Sequence, residues 1–376
     1  MTPRERILAA LRRKPTDRIP LDLGSTIAST ITEGAHARLR AHLGISSGEP
    51  PAVFSKRSGT VIPDEAILSR FQVDARCVLL GSSDGRPDRP ISADAFVDEW
   101  GVTWSKPLGG HYINTDGPFH RLDEPAPEHL GRFEWPDPAD PGRYRGLREW
   151  AGDLHEHSGY AVVLNLGVGP VHQCQFLRGY GEWLGDLLAN PRFAEGLLDR
   201  ATDIWIEIST RALEEAGAGV DLVIYGDDVG AQRAPLMRPE LYRKMVKPRH
   251  QRMAEAVRRF GKPILYHSCG AVYPLIPDLL EVGIDGLNPI QVSAAGMDTG
   301  RLKREFGRDL TFWGGVDSQR VLPFGTADEV RVEVKRRIAD LAPGGGYVLG
   351  AVHNLQQDVP PQNVVAMFEA ALDEGR

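Results

Sequence analysis

Eight short apolar runs recur along the chain, separated by longer amphipathic stretches. They are 19–23 (IPLDL), 73–80 (VDARCVLL), 160–166 (YAVVLNL), 221–225 (DLVIY), 263–267 (PILYH), 283–287 (GIDGL), 310–313 (LTFW) and 347–350 (YVLG). Strands of a parallel sheet covered on both faces read as short apolar runs, and their alternation with helical segments marks βα units. Eight such units in 376 residues predict an α/β fold, a (β/α)8 TIM barrel forming one domain over residues 1–376. A doubly wound sheet would place a glycine-rich phosphate turn after its first strand. The segment there is GSTIAST, which has no G-x-G-x-x-G, so the barrel is the better solution.

The intervening segments fit that frame. Residues 2–13 predict an N-terminal helix with Ile7, Leu8 and Leu11 on one face, stopped by Pro15. Residues 182–215 predict one or two helices, broken at Asn190-Pro191, and 239–260 and 326–341 predict two more. Thr326 followed by Glu329 is a capping-box pattern. Only 82–158 is too long for one crossover; there DEWGVTW (98–104) and HYIN (111–114) predict a β-hairpin inserted after the second strand.

Composition narrows the partners. Lys+Arg 44 against Asp+Glu 51 leaves a formal net charge of −7, which argues against a nucleic-acid surface. The first twenty residues carry charges where a signal peptide needs an apolar core, and no apolar run approaches membrane-spanning length. Three widely spaced cysteines, Cys77, Cys174 and Cys269, make no disulfide framework. The expectation is a cytoplasmic protein acting on a small molecule, with no nucleic-acid or membrane partner.

In a barrel the chemistry collects at the C-terminal ends of the strands. Here those ends are polar from the third run to the eighth: Asn165; Asp227, Asp228 and Gln232; His267 and Cys269; Asn288 and Gln291; Asp317 and Gln319; His353 and Asn354. A buried polar side chain needs a partner or a ligand, and six consecutive polar ends are hard to explain by packing. Each one alone could cap the next helix.

The sharpest element is His267-Ser268-Cys269-Gly270. Side chains two apart in extended backbone point the same way, so His267 and Cys269 can converge. Imidazole and thiolate suit zinc, and His353 across the mouth is a candidate third ligand, leaving the open position of a catalytic site. The plainer alternative is a packed cysteine beside a hydrogen-bonded histidine. Of Asp227 and Asp228 at most one faces the mouth, as fourth ligand, base or support for His267; a helix cap is the alternative for either.

Four segments carry a resemblance: RERILAALRRKPTDRIPLDLG (4–24), GDDVGAQRAPLMRPELYRKMVKPRH (226–250), YHSCGAVYPLIPDLLEVGIDGLNPIQ (266–291) and FWGGVDSQRVLPFGT (312–326). Together they resemble the uroporphyrinogen decarboxylase-like superfamily, whose fold is a (β/α)8 barrel. True decarboxylases of that superfamily carry an arginine-rich loop after the first strand and use no metal; this chain has GSTIASTITEG, without arginine. Its corrinoid-dependent methyltransferases, of the methylcobalamin:coenzyme M type, bind zinc through H-x-C and a further cysteine near the last strand. His267 and Cys269 match that H-x-C, whereas His353 stands where the further cysteine would be, and HNLQQD (353–358) is laid out like the decarboxylase segment.

The resemblance implies a zinc-dependent methyltransferase moving a methyl group between a corrinoid and a small thiol or pterin. Zinc would be held by His267, Cys269 and His353. Asp227, Asp228 and His353 would be catalytic, and Asn165, Gln232, Asn288, Gln291 and Asp317 would line the substrate pocket. No D-x-H-x-x-G segment is present, so the corrinoid (methylcobalamin) comes on a partner protein or as free substrate. A homodimer is common in this superfamily. The rival readings are a metal-free decarboxylase or lyase using His353 and an aspartate, and a non-catalytic binding subunit.

Overall fold

The computed structural model describes residues 1–46 and 49–375. Seven parallel strands form one curled sheet, in the order Tyr347–Val348, Thr311–Trp313, Gly286–Asn288, Ile264–His267, Leu222–Gly226, Ala161–Val168, Ala75–Leu79. The eighth place is held by Leu21. It bridges Leu349 in parallel, and its carbonyl oxygen accepts from the Asp74 amide at 2.9 Å, so the two edges of the sheet meet through it. The ring is a (β/α)8 barrel whose first strand is reduced to one bridge, because Pro20 removes a ladder donor and the chain turns away at Gly24 (φ 83°).

Strand alternation sorts the side chains into two cores. Ala75, Ala161, Val163, Leu222, Ile224, Leu265, Trp313 and Val348 point into the barrel and pack with Ile7, Ala10 and Leu11 of the Pro3–Leu11 helix. That helix, capped by a Thr2–Glu5 box, therefore plugs the N-terminal end of the barrel. Buried Asp74 ties it in place through Arg6 (2.5 Å) and also holds Arg18 (2.8 Å) of the segment that follows. The intervening residues, such as Leu164, Tyr225 and Tyr266, face the outer helices in a second, larger core.

Several elements differ from what the sequence predicts. The run 283–287 begins its strand only at Gly286, because Gly283 (φ 96°) terminates the Ile276–Val282 helix. The 239–260 segment is divided into Pro239–Leu241, a π turn Tyr242–Val246 and Lys247–Arg258, since Pro248 cannot donate into a continuous helix. The hairpin in 82–158 is half of a four-stranded antiparallel sheet: Arg89–Ser92, Ala95–Val97, Thr103–Ser105, Ile113–Asp116. Within it Asp98 accepts from the Trp100 and Val102 amides, so DEWG is a turn and the strand starts at Thr103. A small sheet, Ile31–Thr32, Thr60–Val61 and Val53–Ser55, has no counterpart in the sequence reading. Among the described residues no helix is long and apolar enough to cross a membrane.

Candidate metal centre and its pocket

Parallel register sets the site. Gly226, His267 and Asn288 stand level on adjacent strands, so the His267 side chain enters the barrel mouth between a residue with no side chain and an amide. A Cβ on Gly226 would lie 2.5 Å from that of His267, so only glycine leaves the imidazole its place. His267 Nδ1 lies 2.8 Å from Asn288 Oδ1. An amide oxygen can only accept, so Nδ1 carries the proton and Nε2 keeps its lone pair, directed toward Cys269 Sγ at 3.7 Å. The backbone then turns at Gly270 (φ 92°), which packs directly on Gly230.

His353 reaches the same point from the far side of the ring, with its ring centroid 5.8 Å from that of His267. One donor atom from each of His267, Cys269 and His353 falls within 4.8 Å of the other two. Burial lowers the pKa of both histidines, His353 to about 4 with help from the neighbouring His267, so both are neutral ligands near pH 7. Burial, reinforced by the Asp228 charge, holds the Cys269 thiol well above its usual range. With no cation beside it the sulfur stays protonated; a divalent ion is what would release the proton.

Alternation also separates the acid pair. Asp227 is fully buried and turns outward, accepting from the Val171 (3.0 Å) and His172 (2.8 Å) amides at the start of the Pro170–Arg178 helix. It also lies 2.9 Å from His250 Nε2, whose Nδ1 contacts the Tyr242 hydroxyl. Asp228 faces the pocket, accepting from the Cys269 amide at 2.7 Å and lying 3.6 Å from His267 Nε2. Burial opposes its charge, but contact with His172 and the two imidazoles outweigh that and hold its carboxyl well below the usual range.

The other sequence candidates are placed differently. Asn165 accepts from the Ile27 amide (2.9 Å) and donates to Ser25 (3.0 Å), clamping the loop after the first strand. Asn354 clamps the same loop through the Thr30 amide and the Ile27 carbonyl. Gln291 accepts from the Gly270 amide and donates to Gln232, which bonds Ser293; this chain braces the turn behind Cys269. Asp317 accepts from the Gln319 and Arg320 amides as a turn cap. None of Asn165, Gln232, Gln291 or Asp317 lines the cavity in front of the histidines.

That cavity measures about 340 Å³ and is lined by His267, His353, Asp228 and Asn354 on the barrel side. The opposite wall was not foreseen from sequence: Ile27 and Ala28 from the clamped loop, Arg57, Trp104, His111, Tyr112, and His172 with Phe176. His172 stacks on Phe176 (5.8 Å, 21°) and lies 3.7 Å from Asp228. Burial opposes its charge, yet Asp228 and Asp227 raise its pKa overall. Gly169-Pro170 after the Ala161–Val168 strand is the signal for His172, since Pro170 starts a helix whose first turn lies at the mouth.

Comparison with known proteins agrees with this architecture. A methylcobamide:CoM methyltransferase of Methanosarcina acetivorans is 22% identical over 382 residues, covering 98% of this chain and 97% of that one. A uroporphyrinogen decarboxylase of Alkalilimnicola ehrlichii is 23% identical over 393 residues, covering 97% and 93%. In three dimensions the chain matches a methyltransferase from Methanosarcina mazei with a TM-score of 0.67 at 21% identity over 99% of both chains, a likeness of fold. The family model for uroporphyrinogen decarboxylase (URO-D) matches residues 112–373, and the chain belongs to that family.

Proposed function

We propose that this protein moves a methyl group between a corrinoid and a small thiol or pterin acceptor, in a zinc-dependent reaction. The observation that carries the reading is the convergence of one thiol and two neutral imidazoles, His267, Cys269 and His353, at the mouth of a barrel. Full-length similarity to methylcobamide:CoM methyltransferases supports it. The donor set suits zinc, and three protein ligands leave a position for an acceptor. Bound there, zinc would lower the pKa of an incoming thiol and make its thiolate available at neutral pH.

The chain's own residues prepare that position. Asn288 fixes the His267 tautomer, and Asp228 holds the Cys269 amide while supplying the negative charge next to the donor set. Asp228 is the fourth ligand or the base that takes the acceptor's proton, with His172 keeping it ionised. Asp227 acts at one remove, by anchoring the helix that carries His172. A cavity of about 340 Å³ suits a small acceptor, so the corrinoid approaches from outside, free or on a partner protein. The sulfur–carbon bond forms as the cobalt–carbon bond breaks, its electron pair remaining on cobalt, and the thiol proton leaves to Asp228 or solvent.

The test is methylcobalamin with 2-mercaptoethanol and zinc-loaded protein, followed by the visible spectrum of the corrinoid. Demethylation that disappears in Cys269→Ala and His267→Ala is expected. Full demethylation by protein stripped of metal overturns the zinc-dependent mechanism, and no demethylation by zinc-loaded protein favours the metal-free lyase built on His353 and Asp228.

A further inference from the structure

A second cavity, of about 280 Å³, lies beside the first and shares Ser55, Arg57 and Val168 with it. It is built from the inserted sheet, the loop after the Ala75–Leu79 strand, and the Pro170–Arg178 and Pro191–Ala216 helices. Trp100 and Trp205 stand in its wall, their rings stacked at 5.9 Å. The loop that carries Ser82 is locked by Asp140, which accepts from the Ser83 hydroxyl (2.6 Å) and from the Asp84, Gly85 and Gly142 amides.

The charged groups on these walls are engaged elsewhere. Lys56 pairs with Asp88 at 3.0 Å, Arg86 with Glu134, and Glu99 with Arg143. Asp98 accepts from Trp104 Nε1 and from the Trp100 and Val102 amides. The Arg57 guanidinium stands over Trp104 (4.7 Å) and 5.7 Å from the Phe176 ring, two residues that line the first cavity and not this one. What is left uncommitted is neutral. Gln173 lines the cavity at 3% exposure, and among the described residues nothing bonds its side-chain amide. By contrast Asn165, Gln291 and Asn354, similarly buried, are all bonded to protein groups. A buried amide without a partner is costly, and on a cavity wall a ligand can complete it. Its Nε2 donates beside an Oε1 that accepts, so its complement also carries a donor and an acceptor side by side.

We propose that the second cavity binds a neutral amide or lactam group, paired edge to edge with Gln173 beside the apolar wall of Trp100 and Trp205. The chemical class follows from the cavity itself. The source of the group rests on the methyl-transfer reading, because a molecule reacting in the first cavity is within reach across the shared wall. Two sources carry this chemistry: a carboxamide arm at the edge of a corrin ring, and the lactam edge of a pterin acceptor.

Nicotinamide is the probe of the class, with nicotinate as its charged counterpart of the same shape, both followed by saturation-transfer NMR on metal-free and zinc-loaded protein. Nicotinamide is expected to bind at least about 10-fold tighter than nicotinate in both forms, and about 10-fold weaker in Gln173→Leu. Gln173→Glu keeps the shape but loses the donor, and should lose the same affinity. No binding of nicotinamide to the parent, equal binding of nicotinate, or undiminished binding in either folded variant overturns the assignment. Cyanocobalamin and 6-hydroxymethylpterin are then titrated by calorimetry into the parent and Gln173→Leu. Affinity lost for cobalamin alone assigns the corrin arm, affinity lost for the pterin alone assigns the acceptor, and loss for both upholds the shared chemistry. If nicotinamide binds as expected and neither of these does, the amide site stands and the two sources fall. If no zinc loads, the methyl-transfer reading falls by itself, and nicotinamide binding to the metal-free protein still decides on Gln173.

Discussion

Asn288→Leu removes the one acceptor that orients His267 while nearly preserving volume. Asn288 is fully buried, its Oδ1 sits 2.8 Å from His267 Nδ1, and its Nδ2 has no partner. The variant therefore discards one orphaned donor along with the useful acceptor, and the net cost to folding should be small, on the order of 1–2 kcal/mol. The cost to metal binding is larger in proportion. Loss of the group that orients a ligating histidine typically lowers metal affinity about 10- to 100-fold, or about 1.4–2.8 kcal/mol. The assay is zinc titration against a competing chromophoric chelator. Asn165→Ala serves as the control: it breaks the clamp on Ser25 and Ile27 and should cost stability without moving zinc affinity. An Asn288→Leu protein that stays folded and binds zinc within twofold of the parent would refute the claim that His267 is a ligand oriented by Asn288.

Two further outcomes follow from the site. Asp227→Ala leaves His250 and two helix-terminal amides without their buried acceptor, so unfolding by denaturant should show a loss of about 3–5 kcal/mol, far more than Asp228→Ala. The metal-free protein should weaken as pH falls from about 6.5 toward 4. His353 has its pKa depressed to about 4 in the folded state, so below the unfolded value the unfolded chain binds the extra proton. Its stabilising contribution is complete above the unfolded pKa and is lost as pH drops through that window. The loss is about 3 kcal/mol at most, and His353→Gln should flatten the profile measured by thermal melts.

Much of the barrel is legible in the runs, because a strand covered on both sides has to be apolar whatever its neighbours are. The first strand is the exception: IPLDL satisfies the pattern, yet only Leu21 bridges, as Pro20 and Gly24 limit the ladder. The His267–Cys269 pair is readable because two residues of spacing puts both side chains on one side of a strand. For the same reason Asp227 and Asp228 had to part company, although nothing local says which faces inward; the answer lies in the amides of Val171 and His172, more than fifty residues away. Asn165 and Asp317 look like pocket residues from their strand ends, but Asn165 bonds the backbone of the loop after the first strand and Asp317 Oδ1 caps the Gln319 and Arg320 amides. Arg57, Trp104 and Tyr112 were out of reach for another reason. Arg57 sits on a turn and Trp104 and Tyr112 belong to a hairpin of the inserted sheet, and only the tertiary docking of both onto the barrel mouth makes them the far wall of the cavity.

X-ray absorption at the zinc edge, on protein purified without chelator, tests the central claim most directly. The account predicts about one zinc per chain, with one sulfur and two imidazole nitrogens in its shell and the sulfur lost in Cys269→Ser. Less than about a tenth of an equivalent of metal, or a shell without sulfur, would contradict it.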